Sequence, residues 1–211
     1  MTGKTHIAIG AAAALAVTKY APTSLIGGMP ALVGDASLLA CLAAGAAGGL
    51  LPDTDVSTSE ASRQLKRAWW LLVAVVASTF AADALLGAGL VERTVAFARA
   101  AGANQVAGIA VIVAVLACGR ASGHRGFSHS LVAAVLFFGG AYLAVPELSL
   151  ALTVGYFSHL VADLLNKTPE SIFWPVSRGQ SLGLCKVGGV VDGALLVLGV
   201  AAVAALLAGW L

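Results

Sequence analysis

The chain has 211 residues, of which 59% are hydrophobic and only 10% charged, with a formal net charge of +2. An average soluble domain carries about a quarter charged residues, so this chain cannot cover a water-facing surface, and its mean hydropathy of +0.94 points the same way. A soluble enzyme, a nucleic-acid-binding domain and a disordered chain are excluded. Because the apolar runs are long rather than alternating, the composition predicts an all-α integral membrane protein.

Seven apolar segments follow in chain order, at residues 6–20, 36–51, 68–90, 106–119, 127–145, 148–165 and 190–211. They predict one membrane-embedded domain over residues 1–211, a compact bundle of about seven helices. A full span takes about 20 residues, so the second and fourth segments are expected to be shielded by neighbours or to cross only in part. In the first, Lys4 before an apolar run invites a signal-peptide reading; the later segments supply a bundle for it to join, and His6 sits at its start. The second holds Gly45-Ala46-Ala47-Gly48-Gly49, a small-residue spacing that lets helices approach closely in lipid. Residues 91–105 read as an amphipathic connection with Arg93 and Arg99 on its polar side. Cys41, Cys118 and Cys185 show no CxxC spacing and are expected to be small packing residues in or beside apolar segments.

Ionisable side chains are costly in lipid and tend to mark function. The four histidines fall in three contexts: after Thr5, within Gly123-His124-Arg125-Gly126-Phe127-Ser128-His129-Ser130, and in His159-Leu-Val-Ala-Asp163. A further polar cluster, Pro52-Asp53-Thr54-Asp55, ends the second segment. Each has a structural alternative. His159 and Asp163 share a helical face and could simply bond to each other; the aspartates could cap a turn; His6 could be interfacial. With seven crossings, however, all four clusters land on the same side of the bilayer. Imidazole and carboxylate together suit Zn²⁺, Mn²⁺ or Fe, and seven such groups suffice for two ions. His6, Asp53, Asp55, His124, His129, His159 and Asp163 are therefore the candidate ligands of a centre of one or two divalent transition metals, zinc first.

The order Thr5-His6, Leu51-Pro52-Asp53-x-Asp55, His124-Arg125-Gly126-x-x-His129-Ser130 and Gly155-Tyr156-x-x-His159-x-x-x-Asp163 resembles the signature of the YdjM-like family, bacterial and archaeal inner-membrane proteins described as LexA-regulated, metal-dependent hydrolases. The resemblance runs from His6 to about Ser177, where Phe173-Trp174-Pro175-Val176-Ser177 also matches, and its most specific element is HRGxxHS. It implies hydrolysis by a metal-activated water. A looser similarity to zinc-dependent phospholipase C enzymes suggests lipid phosphoesters as substrates. Where some family members carry Glu after a basic step near the last helix, this chain has Lys186 followed by Asp192.

On this reading Arg125 and Asp55 are the candidate catalytic groups, Arg125 holding a phosphate or developing oxyanion. The alternative for Arg125 is an interfacial side chain reaching for water. Arg125, Arg178 and Lys186 are the candidate substrate-binding residues, and Ser128 or Ser130 would orient a ligand histidine. The competing functions are an amidase of the ceramidase type and a proton- or ion-coupled transporter, which clustering on one side disfavours. Nine basic residues, from Lys4 to Lys186, fall on the side of the site, against Lys19, Arg93 and Arg99 on the other. Cytoplasmic loops hold the excess of Lys and Arg, so the site and the N-terminus are expected in the cytoplasm and the C-terminus outside.

Overall fold

The computed structural model describes residues 1–20, 35–55, 63, 67, 74, 77–87, 89, 91–93, 96, 102–176 and 179–210. Among these the chain is all-helical, with α1 (Gly3–Tyr20), α2 (Asp35–Gly48), α3 (Ala77–Leu86), α4 (Ala103–Ser122), α5 (Leu131–Ala144), α6 (Pro146–Leu164) and α7 (Val190–Ala208). Two 3-10 turns, Leu51–Asp55 and Phe127–His129, lie after α2 and before α5. Parts of the segment predicted at 68–90, and of the connection after it with Arg99, lie outside the described residues.

Among the described residues two helices, α4 and α7, are long and apolar enough to cross a membrane by length and composition. For α4 this corrects the expectation of a short segment. The helix runs on through polar residues at both ends, and Gln105 bonds back to the Gly102 amide at 3.2 Å. Helix α5 starts later than the apolar run implied. Ser130 caps it by accepting from the Ala133 amide at 3.1 Å, which leaves His129 in the turn before it.

Helix α6 is the centre of the bundle, packed against α1, α2 and α5, while α4 covers α5 and α7 covers α1. The closest approaches use glycine. A methyl group on Gly155 would sit 2.1 Å from the Gly45 carbonyl oxygen, and one on Gly10 would sit 2.5 Å from the same atom. Three helices thus meet backbone to backbone where lipid offers no hydrophobic drive to hold them. One apolar cluster joins α4, α5 and α6 through Val115, Phe137, Tyr156 and Leu160; a second joins α1, α2 and α6 through Ala14, Cys41, Ala44 and Ala151.

Large apolar side chains face outward, and a set of polar groups is buried beside the apolar clusters. Val113, Val135, Leu136, Val197 and Leu198 are exposed, whereas His6, Arg125, His129, His159, Asp163 and Glu170 are buried. That arrangement is what a hydrocarbon solvent requires. Cys41 and Cys185 are buried as expected, whereas Cys118 is exposed; all three are free thiols.

Candidate metal centre

The polar groups converge at one end of the central helices. His6 comes from the start of α1, Asp53 and Asp55 from the turn after α2, His124 and Arg125 from the turn after α4, His129 from the turn before α5, and His159 and Asp163 from the last turns of α6. All seven ligand candidates read from the sequence are brought together. Asp53, His129, His159 and Asp163 present ligand atoms within 4.8 Å of one another, and Asp55, His124 and His129 form a second such set.

The histidines are aimed by their outer nitrogens. His159 Nδ1 lies 2.7 Å from the Gly49 carbonyl oxygen. A carbonyl only accepts, so Nδ1 carries the proton and Nε2 keeps its lone pair. His129 Nδ1 faces Ser128 Oγ at 3.0 Å and Asp55 Oδ2 at 3.4 Å. The two Nε2 atoms then meet at 3.2 Å, with Asp53 Oδ1 3.6 Å from that of His159 and 3.7 Å from that of His129. Asp163 Oδ2 is 3.9 Å from both. Two imidazole lone pairs and two carboxylates facing one point repel each other unless a proton or a cation sits among them.

The electrostatics agree. Burial disfavours charge on His129, yet its bonds to Asp53 and Asp55 outweigh that and raise it to about 9. Burial works against the Asp53 carboxylate too, but the bond to His129 and the fields of His159 and His6 bring it down to about 2. Asp55 is likewise buried and is held well below the usual carboxylate range by His124, His129 and Ser128. The pocket therefore stabilises positive charge at its centre.

The two aspartates of the Pro-Asp turn differ in role. Asp55 takes His124 Nδ1 at 3.0 Å, the Arg125 amide at 3.1 Å and Ser128 Oγ at 2.8 Å. It anchors the loop that carries two histidines. Asp53 is the partly exposed one and faces the Nε2 pair. Ser128 thus orients His129 as expected, and Tyr156 fixes it by donating from its hydroxyl to the Ser128 carbonyl at 2.5 Å. Ser130 instead caps α5. His6 stacks on His159, centroids 3.7 Å apart at 19°, and its Nε2 lies 3.1 Å from Asp163 Oδ1.

Arg125 is buried, which sets aside the interfacial alternative. Its φ of 62° puts it in the left-handed region, rare for a non-glycine residue. That turn points Nη2 at Asp163 Oδ2 at 2.5 Å and Nη1 at the Thr168 carbonyl at 2.6 Å. Asp163 is also bonded by Asn166 Nδ2 at 2.6 Å and by the Met1 amino nitrogen. Asp192 stands outside both ligand sets. It accepts from Thr5 Oγ1 at 2.5 Å and from the Thr2 and Gly188 amides, fastening α7 to the turn that carries His6. Lys186 is exposed on the loop leading into α7, and Arg178 lies outside the described residues.

Two residues escaped the sequence reading. Asn166, three positions after Asp163, follows a helix end and looks like a turn residue. Glu170 looks like a solvated loop acid, yet it is 1% exposed and neither carboxylate oxygen has a hydrogen-bond partner.

Across residues 1–210 the chain matches the YdjM inner membrane protein family. The inner membrane protein YdjM of Escherichia coli (strain K12) and that of Shigella flexneri are each 40% identical to it over 63 residues. The match takes in 26% of this chain and 32% of each relative, so it spans about a third of their length. No solved structure matches.

Proposed function

The chain belongs to the YdjM inner membrane protein family, and from that premise we propose that it is a metal-dependent hydrolase acting on a lipid or lipid-linked phosphoester at the cytoplasmic face of the bacterial inner membrane. The observation that carries the metal is the 3.2 Å approach of two Nε2 atoms, one held by Gly49 and the other by Ser128 and Asp55. Such outer partners are the usual support of metal-bound histidine.

Asp53, His129, His159 and Asp163 would hold a divalent ion, and Asp55, His124 and His129 a second; bound there, such ions would supply Lewis acidity and bring a water toward ionisation at neutral pH. Around them the protein's own groups divide the work. Asp55 and Gly49 fix the imidazoles. Arg125 places a permanent positive charge beside Asp163, where it offsets charge growing on a phosphoryl oxygen. His124 is half-exposed. The apolar exterior of the helices keeps a lipid substrate close at hand.

The test is metal analysis of the purified chain followed by hydrolysis assays on phospholipids, ceramides and soluble phosphodiesters, with and without a chelator. Bound zinc, manganese or iron together with chelator-sensitive phosphoester cleavage is the expected result. Metal-free protein, or cleavage of ceramide alone, overturns it.

A further inference from the structure

Among the described residues, Glu170 is a buried acid outside both ligand sets whose carboxylate oxygens, unlike those of Asp192, have no hydrogen-bond partner. Glu170 lies on the loop after α6, paired with Gln180 through backbone hydrogen bonds of 2.9 and 2.7 Å. Its neighbours are strapped to Arg125: the Thr168 carbonyl accepts from Arg125 Nη1 at 2.6 Å, and the Ser171 amide donates to the Arg125 carbonyl at 2.9 Å. Arg125 in turn holds Asp163. The loop thus carries Glu170 between two residues bonded to Arg125, within the fields of His129, Asp163, Arg125 and the N-terminal amine.

A buried polar group without a partner costs stability and calls for an explanation. A carboxyl group poised to meet a substrate supplies one. We propose that Glu170 is the proton donor to the leaving alcohol in phosphoester cleavage, a role that rests on the hydrolase reading above and assigns the chain to esters whose leaving group is an alkoxide. The oxygen of the attacking water forms the new P–O bond. The P–O bond to the alcohol breaks with its electron pair on the alcohol oxygen, which takes the Glu170 proton. The proton left from the water returns to Glu170, so diester and water give monoester and alcohol with the protein unchanged.

The protonation state suits the role. Burial, with the Asp163 charge adding to it, raises Glu170 to about 8 against the opposing fields of His129, Arg125 and the N-terminal amine. The acid is therefore protonated at neutral pH. An acid placed in this way contributes roughly 10²–10⁴-fold to rate, and only where the leaving group needs a proton.

The experiment compares the full chain with E170Q on a short-chain glycerophospholipid and on a p-nitrophenyl phosphodiester, whose leaving group departs unprotonated. Infrared spectra of both proteins at pH 7 give a readout apart from turnover. The expected result is a protonated-carboxyl band that E170Q lacks, together with a loss of roughly 10²-fold or more on the lipid ester and near-normal turnover of the aryl ester. The aryl ester also shows that E170Q is folded. Equal losses on both esters, no loss on either, or no band that depends on Glu170 overturns the donor role while leaving the hydrolase reading in place. If the unsubstituted chain cleaves neither ester, the hydrolase reading falls and the donor role with it, and the band alone then reports a buried acid.

Discussion

The Gly49 carbonyl oxygen and His159 Nδ1 are 2.7 Å apart, so the backbone just past α2 sets the direction in which a side chain of α6 presents its other nitrogen. The same glycine touches α1, since a methyl group on it would lie 2.5 Å from the His6 carbonyl oxygen. One small residue therefore sets the position of two candidate ligands. Gly49→Ala should cost about 1–3 kcal/mol, as overpacking does, and should lower metal content along with thermal stability. Elemental analysis and a melting curve of the same preparation check both; unchanged metal content would show that His159 is aimed by something else.

His129 belongs to both ligand sets, whereas His124 belongs to one and His159 to the other. In protein that holds two ions, His129→Ala should disturb both, His124→Ala should release one, and His159→Ala should release the other. Metal-to-protein ratios across the three variants test the arrangement. Equal losses in all three would mean a single shared ion.

Arg125 stands against the centre and belongs to neither ligand set. Replacing it with Lys should keep most of the metal and lower phosphoester turnover roughly 10²-fold, the usual scale for losing a preorganised charge donor. A joint assay of metal content and rate decides the matter. Ion loss equal to that of His159→Ala would make Arg125 chiefly a support for Asp163.

Glu170 gives the fold a pH dependence of definite sign. Its folded value, raised to about 8 from an ordinary 4.5, means that the folded chain holds a proton that the unfolded chain gives up in that interval. Stability is therefore fully present below the lower value and falls as pH rises toward the upper one, at no more than about 1.4 kcal/mol per pH unit. E170Q should flatten that decline. Melting temperatures in detergent between pH 5 and 9 measure it, and parallel curves for the two proteins would refute it.

If the site faces the cytoplasm as proposed, a cysteine placed at the exposed Lys167 should react with impermeant reagent only from the cytoplasmic side of sealed vesicles. One placed at Lys19, at the other end of α1, should react only from the outside. The background must lack Cys41, Cys118 and Cys185. The reverse pattern would turn the protein over in the membrane.

The ligand candidates were legible because lipid penalises polar side chains. His6, His159 and Asp163 stand out against alanine and glycine, and helix parity put them at one depth. What decides their roles was not legible. Asp53 and Asp55 look alike in sequence, and their division depends on the left-handed turn at Arg125 that brings the loop amide and His124 onto Asp55. The length of α4 was missed because an apolar run stops at the first polar residue, whereas a helix continues while its backbone bonds are satisfied. Glu170 was missed because its burial comes from a loop folding back over Arg125, a long-range event with no local periodicity. The Gly45–Gly49 spacing was read as packing alone, yet the carbonyl of Gly49 does chemical work by fixing a tautomer.

The glycine contacts among Gly10, Gly45 and Gly155 leave α1, α2 and α6 no lateral play. The helix that bears His6, the helix that delivers both aspartates and the helix that bears His159 and Asp163 must travel as one solid piece. His124, by contrast, is 46% exposed on its loop, so of the seven ligand candidates it is the one that water reaches most readily.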